Sequence, residues 1–239
     1  AHDPTRAYGF VNSVVSLTDL SSSIWMWRRK ENANGATDAW EIEKVITIPA
    51  EPADEALLPP ALKPFGAVPP LVSDIELSVD DQFLYVSCWG TGELKQFDVS
   101  DPGNPVEIGS VRIGGIVGLA PHQAGGAPLN GGPQMVEVSR DGKRVYVGLA
   151  TGVAALDAAL VQTISAESVG GFTIGEGAQP NPQALALSPD GSRLYVADNL
   201  SGGVVRTVSL ASRSVAPATS FGSGMVPVGV AASPDGARV

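Results

Sequence analysis

The sequence predicts an all-β fold of β-propeller type, built from four-stranded antiparallel blades. Three observations carry this. One phrase recurs four times: LSVDDQFLYVSC from Leu77, VSRDGKRVYVGL from Val138, LSPDGSRLYVAD from Leu187 and ASPDGARV from Ala232. Its anchor serines, Ser78, Ser139, Ser188 and Ser233, lie 61, 49 and 45 residues apart, about one blade per repeat with longer loops in the first two intervals. No stretch carries a convincing amphipathic helical pattern. AEPADEALLPPAL (50–62) has room for a helical turn, but its prolines interrupt it.

Each element follows from local chemistry. Ser-x-Asp-Gly, or Ser-x-Asp-Asp in the first repeat, supplies a tight turn. The Asp side chain accepts from nearby backbone N–H groups, and Gly tolerates positive φ. An apolar, β-branched run follows, suited to an inner strand of a small sheet. A second strand precedes each turn: SDIELS, PQMVEVS, PQALALS and PVGVAAS. Each turn therefore joins the two strands of a hairpin. ELKQFDVS from Glu93 and PVEIGSVRIGG from Pro105 complete a blade after the first phrase. GGVVRTVSL from Gly202 does the same after the third. Upstream, FVNSVVSL, SSIWMWRRK and WEIEKVITIP read as three strands of an earlier blade. The count is about four blades and the start of another. The chain begins at Ala1 rather than Met and stops inside a repeat, so residues 1–239 read as one propeller domain, incomplete at both ends and a fragment of a larger ring.

Composition narrows the function classes. Of 239 residues, 44% are hydrophobic and 17% charged, which suits a chain with a sizeable core. The net charge of −10 argues against a nucleic-acid partner. The longest basic run, Arg28-Arg29-Lys30, reads as a solvated turn at a strand end. No apolar run approaches the ~18–20 residues of a membrane span. The single cysteine, Cys88, cannot form an internal disulfide. Nucleophile-elbow, P-loop and HExxH motifs are missing. Gly-rich LNGGPQ is not followed by a helix, so it does not read as a phosphate cradle.

Strand alternation sorts the remaining candidates. Leu84, Val86 and Cys88 share one face, so Cys88 reads as a small buried hydrophobe rather than a copper or selenium ligand. No Lys, Arg or His lies within four residues of it to favour the thiolate. Trp25 and Trp27 share a face and are expected to pack between blades. Met26 and Met135 are soft donors in principle, with core filling favoured for Met135. Asp80, Asp81, Asp141, Asp190 and Asp235 recur with the repeat and read as turn formers. Two long segments stand out, Pro-rich 51–70 and Gly-rich 113–134, and long loops of this kind are often functional. The second holds His122, and His2 is the only other histidine.

The stretches HDPTRAYGFV from His2, WEIEKVITIP from Trp40, LLPPALKPFGAVPPLVSDIELSVDDQFLYVSCWGTGELKQFDVSDP from Leu57 and LNGGPQMVEVSRDGKRVYV from Leu129 resemble the selenium-binding protein family, which includes the methanethiol oxidases. The resemblance covers residues 1–147 and implies a seven-bladed parent. For the methanethiol oxidase branch it implies a copper cofactor and a small thiol substrate. Methanethiol, oxygen and water become formaldehyde, hydrogen sulfide and hydrogen peroxide. It also implies His2 and His122 as metal ligands, imidazole being a suitable copper donor. Asp3 is then a candidate for orienting His2, or an ordinary turn starter before Pro4. Residues 180–239 look more like YVTN-type propeller repeats. That likeness supports the alternative, a non-catalytic propeller that binds a protein or small ligand on one face, and it favours the bacterial periplasm over the cytoplasm.

Overall fold

The computed structural model describes residues 1–30, 39–117, 121–122, 125–128, 132–149, 152–157, 165–172, 182–199, 203–222 and 224–239. Among them the architecture is all-β, save one 3₁₀ turn at Lys63–Phe65 that follows the expected helical stretch. The first sheet holds β1 (Tyr8–Ser13), β2 (Ser22–Lys30) and β3 (Ala39–Ile48) in sequence order. A short ribbon, β4 (Glu51–Pro52) with β5 (Ala67–Val68), leads to the second sheet: β6 (Val72–Leu77), β7 (Phe83–Cys88), β8 (Glu93–Asp98) and β9 (Val106–Arg112). A second ribbon, β10 (Pro121–His122) with β11 (Gly125–Pro128), precedes the third sheet: β12 (Val136–Val138), β13 (Arg144–Leu149), β14 (Gly152–Asp157) and β15 (Ser165–Phe172). The fourth sheet holds β16 (Pro182–Leu187), β17 (Arg193–Asp198) and β18 (Val204–Ser209), with β19 (Ser214–Val215) and β20 (Thr219–Ser220) both paired to β18. All the pairings are antiparallel, and all but that of β20 with β18 join neighbours in sequence, as blades require.

The repeated turns form as the residues dictate. Ser78, Ser139, Ser188 and Ser233 each donate from Oγ to the carboxylate two residues on, at 2.7, 2.6, 2.6 and 2.6 Å. Each serine Oγ also accepts the backbone N–H five residues on, from Phe83, Arg144, Arg193 and Arg238. The carboxylates of Asp80, Asp141, Asp190 and Asp235 accept the amide two residues further. At Asp141, Asp190 and Asp235 these bonds favour the ionised acid, and the Ser188 hydroxyl with the Ser192 groups pulls Asp190 down to about 2. Gly142, Gly191 and Gly236 then take φ of 67°, 68° and 69°, a left-handed conformation that a side chain strains. Asp81 differs from the sequence reading. It is not another turn carboxylate: it occupies this glycine position with φ 58°, and its side chain points away from the turn's own amides to residues far back in the chain.

The core lies between sheets, not within one. Every side chain of β7 is buried. Leu84, Val86 and Cys88 face the first sheet and meet Ile24, Ile46 and Ile48. Phe83 and Tyr85 face the third and meet Val136, Val145 and Val147. The third sheet repeats the device, with Tyr146 turned to Leu185, Leu194 and Val196 of the fourth. Met135 packs against this last cluster, as core filling requires, and Met26 is also buried. Polar links join the first strand of each sheet to the next. Asn12 Nδ2 donates to the Val72 carbonyl at 2.8 Å, the Val136 amide to Asp74 at 2.9 Å, and the Leu187 amide to Glu137 at 3.2 Å.

The outer face of the first sheet carries its tryptophan side chains. Trp25 and Trp27 do share a face, but they point away from the second sheet. Trp27 meets Trp40 edge to face, and both are exposed at 39% and 56%. Lys44 lies over the Trp25 ring and Arg29 over Trp40. The basic run 28–30 is the end of β2 rather than a turn, and Arg28 pairs with Glu41 across the strands.

The turn chemistry makes a measurable claim. Ser188→Ala removes two bonds of a buried hydroxyl, to Asp190 and from Arg193, and should lower unfolding stability by about 1–2 kcal/mol in urea titration. An unchanged midpoint would mean that the apolar strands alone set the hairpin.

Candidate functional site

His2 is fixed by a carboxylate 79 residues away. Its backbone N–H donates to Asp81 Oδ1 at 2.7 Å, the Asp3 N–H donates to Oδ2 at 3.0 Å, and His2 Nδ1 lies 3.0 Å from Oδ1. Asp81 is buried, while the His2 side chain is half exposed. Burial opposes ionisation of Asp81, but the two amides and the imidazole outweigh it and hold its pKa below the ordinary carboxylate range. An ionised carboxylate only accepts, so Nδ1 carries the proton of this contact, and in the neutral ring that leaves the lone pair on Nε2. That is the state a metal-ligating imidazole needs. Asp3, the sequence candidate for this role, instead makes the turn. Its Oδ1 accepts the Thr5 amide and hydroxyl at 2.8 and 2.7 Å.

A cleft of about 260 Å³ lies beside His2, lined also by Phe10, Ile75, Glu76 and Leu77. Glu76 shares a face of β6 with Asp74, two residues away. Burial pushes Glu76 up to about 8, and the charges of Glu137 and Asp74 add to the shift against the opposing Arg140. Burial also raises Asp74 and Glu137, although each accepts an amide bond from the next sheet. Glu76 sits opposite Tyr85, so its acid faces the seam with Glu137 and the third sheet, while Ile75 and Leu77 wall the cleft beside His2 on the other face of β6. Periodicity in the sequence did not single out Glu76. The signal was present: Glu76 and Glu137 precede their anchor serines by the same two positions.

Cys88 is fully buried among aliphatic side chains, and burial drives its thiol far above the usual range despite Lys95 nearby. It does not serve as a thiolate ligand in this fold. The turn after it matters more. The Gly90 N–H donates to the Pro70 carbonyl at 2.8 Å, the Ile113 N–H to Gly92 at 2.8 Å, and the Ile116 N–H to Gly90 at 2.9 Å. A Cβ on Gly92, whose φ is 80°, would stand 1.9 Å from the Gly114 carbonyl. Both long segments expected to be functional therefore dock on the WGTG turn between β7 and β8.

That docking bears on His122. It lies on β10, paired through Gly125, and its side chain is outside what the structure describes. Residues 118–120, 123–124 and 129–131 of the same segment are outside the described residues too. The segment is tied at Ile113 and Ile116 to the β7–β8 turn, while His2 is tied to the β6–β7 turn at the other end of β7. The contacts described for His122 are its pairing with Gly125, and those described for His2 are to Asp81. No group of three or more His, Cys, Asp or Glu among the described residues is arranged to hold a metal ion.

Fold and site together define an all-β stack of propeller-type sheets that presents one oriented imidazole. The Cps50 (Swd1) β-propeller domain of Myceliophteria thermophila superposes with a TM-score of 0.53 at 10% identity, over 89% of this chain and 61% of that one. A hypothetical selenium-binding protein from Sulfolobus tokodaii superposes with a TM-score of 0.63 at 48% identity, over 72% of this chain and 40% of that one. The methanethiol oxidase of Pongo abelii is 39% identical over 162 residues, 61% of this chain and 31% of that protein's length. Residues 1–159 match the family of the 56 kDa selenium binding protein, SBP56, and the chain belongs to it. The match runs past residue 147 into β14, so the sequence resemblance stopped short of it. The chain spans about a third of the length of the curated relatives. Among the described residues no helix is long and apolar enough to cross a membrane.

Glu76 gives this site a pH signature. Its folded pKa of about 8 lies above the unfolded value near 4.5, so the folded state binds the extra proton. That contribution is complete below the unfolded value and is lost as pH rises through 8. Between pH 6 and 9 the protein should lose on the order of 1–3 kcal/mol of stability. Glu76→Gln should flatten that fall, leaving a residual slope from Asp74 and Glu137. Parallel profiles for the two proteins in pH-dependent denaturant titrations would contradict the assignment.

Proposed function

We propose that the chain is part of a copper-dependent methanethiol oxidase in which His2 is one of the metal ligands. The observation that carries the reading is the Asp81–His2 contact, because it leaves Nε2 as a free donor at the mouth of a cleft. Family membership and the methanethiol oxidase relatives support the substrate class. The donor chemistry fits copper in part: one imidazole is prepared, and His122 is proposed as a second ligand. Further donors would come from the longer protein, because three or four ligands are usual. Copper would supply affinity for the soft thiolate and a route for electrons to oxygen. In the overall conversion methanethiol, oxygen and water give formaldehyde, hydrogen sulfide and hydrogen peroxide, so carbon is oxidised and oxygen is reduced to peroxide. This chain's residues have simpler tasks. Asp81 orients His2, and Phe10 and Leu77 line an apolar wall suited to a methyl group. The seven-bladed parent ring belongs to the same proposal.

A second reading has its own observation. The exposed face with Trp27, Trp40 and Ile42, edged by Arg29 and Lys44, suits a non-catalytic propeller of YVTN type that binds a partner there. Metal analysis separates the two. Purified protein loaded with copper and desalted should retain copper in stoichiometric amount. His2→Ala and His122→Ala should each lower retention at least tenfold. A well-folded protein that retains no copper, and makes no peroxide from methanethiol, supports the binding-module reading instead.

A further inference from the structure

We propose that Asp81 is a positioning residue, placed in its turn to hold the His2 segment and to fix the imidazole as a donor. The inference rests on the reading of His2 as a ligand and adds a residue that reading does not need by itself.

The argument starts from a departure within the repeat. Three of the four turns place glycine at this position with nearly identical left-handed φ, at Gly142, Gly191 and Gly236. The remaining turn places Asp81 there with φ 58°. Aspartate enters this region more readily than most residues, yet glycine is the better occupant of the turn. The local hydrogen bonds do not require a carboxylate at 81, because Ser78 and Asp80 make the same bonds here as their counterparts make beside glycine. What Asp81 gains is long-range. Both oxygens are used, and the three groups they meet all belong to His2 and Asp3. Gripping two successive amides fixes the backbone of the segment, and the contact to Nδ1 fixes the ring. A lone turn residue thus determines where Nε2 sits and which nitrogen carries the proton. An ordinary structural cap would need only the amides.

Other groups facing this contact do not compete for the ring. Arg6 stacks on Tyr8, and the Asp3 carboxylate is taken up by Thr5.

Asp81→Gly tests this cleanly, because it supplies the residue the other turns use and should leave the fold intact. Three readouts are compared with the parent protein. Long-range proton–nitrogen NMR spectra above pH 8 should show His2 as the Nδ1–H tautomer in the parent, and mostly the Nε2–H tautomer of free imidazole in Asp81→Gly. The His2 and Asp3 amides should lose protection from hydrogen exchange in the variant. Copper(II) affinity by competition titration should fall 10–100-fold. Asp81→Asn keeps an acceptor oxygen and tolerance for positive φ, so it should restore part of the amide protection. An unchanged tautomer and unchanged protection in a folded Asp81→Gly protein would overturn the proposal. A tautomer change between parent and Asp81→Gly, with no copper bound by the parent, would overturn the copper reading and leave the positioning role standing.

Discussion

Two-sided burial of the second strand in the second, third and fourth sheets is the constraint from which the rest follows. β7 has no side chain free of contact: alternate residues enter the clusters shared with the first and third sheets. A strand of this kind cannot be stable in an isolated sheet, because half of its apolar surface would face water. Stacking sheet on sheet is the available solution, and the antiparallel hairpins keep each sheet local in sequence. Cys88 is explained by this constraint alone. It is small and apolar, and the face it occupies is closed by isoleucines from the first sheet.

Close stacking in turn limits where chemistry can reside. The centres of the sheets are dry, so functional groups fall at strand ends and on the first strands. The polar groups there are satisfied across sheets rather than within them, through Asn12, Asp74 and Glu137. A carboxylate in such a seam is partly desolvated and crowded by its like-charged neighbours, which is why Glu76 holds its proton so firmly. Asp81 shows the opposite balance, because two amides and the His2 ring converge on it.

Much of the fold was legible in the sequence because its determinants are local. The Ser-x-Asp-Gly turns and the period-two strands follow from adjacent residues, and the structure realises the hairpins at β6–β7, β12–β13 and β16–β17. The face assigned to Cys88 follows from alternation and is realised. What could not be read were contacts between residues remote in sequence. Asp81 looked like one more turn former, since nothing within its own repeat names His2 as its partner. Comparison of the four phrases shows the clue, an Asp where the others hold Gly. The Trp25 and Trp27 face shows a related limit: alternation says that two residues share a face but not what lies against it. The convergence of segments 51–70 and 113–134 on Gly90 and Gly92 is likewise a product of three-dimensional packing.

Cooperativity between sheets tests the account most directly. All four tryptophans lie in the first sheet or just after β7, whereas far-UV circular dichroism reports every sheet. Val147 belongs to the third sheet and is buried in the cluster shared with the second. If stacking carries the stability, tryptophan fluorescence and circular dichroism should give coincident unfolding curves. Val147→Ala should lower both midpoints together, by roughly 1–3 kcal/mol. A fluorescence midpoint that stays in place while the circular dichroism curve splits in two would show that the sheets stand independently, contradicting the account.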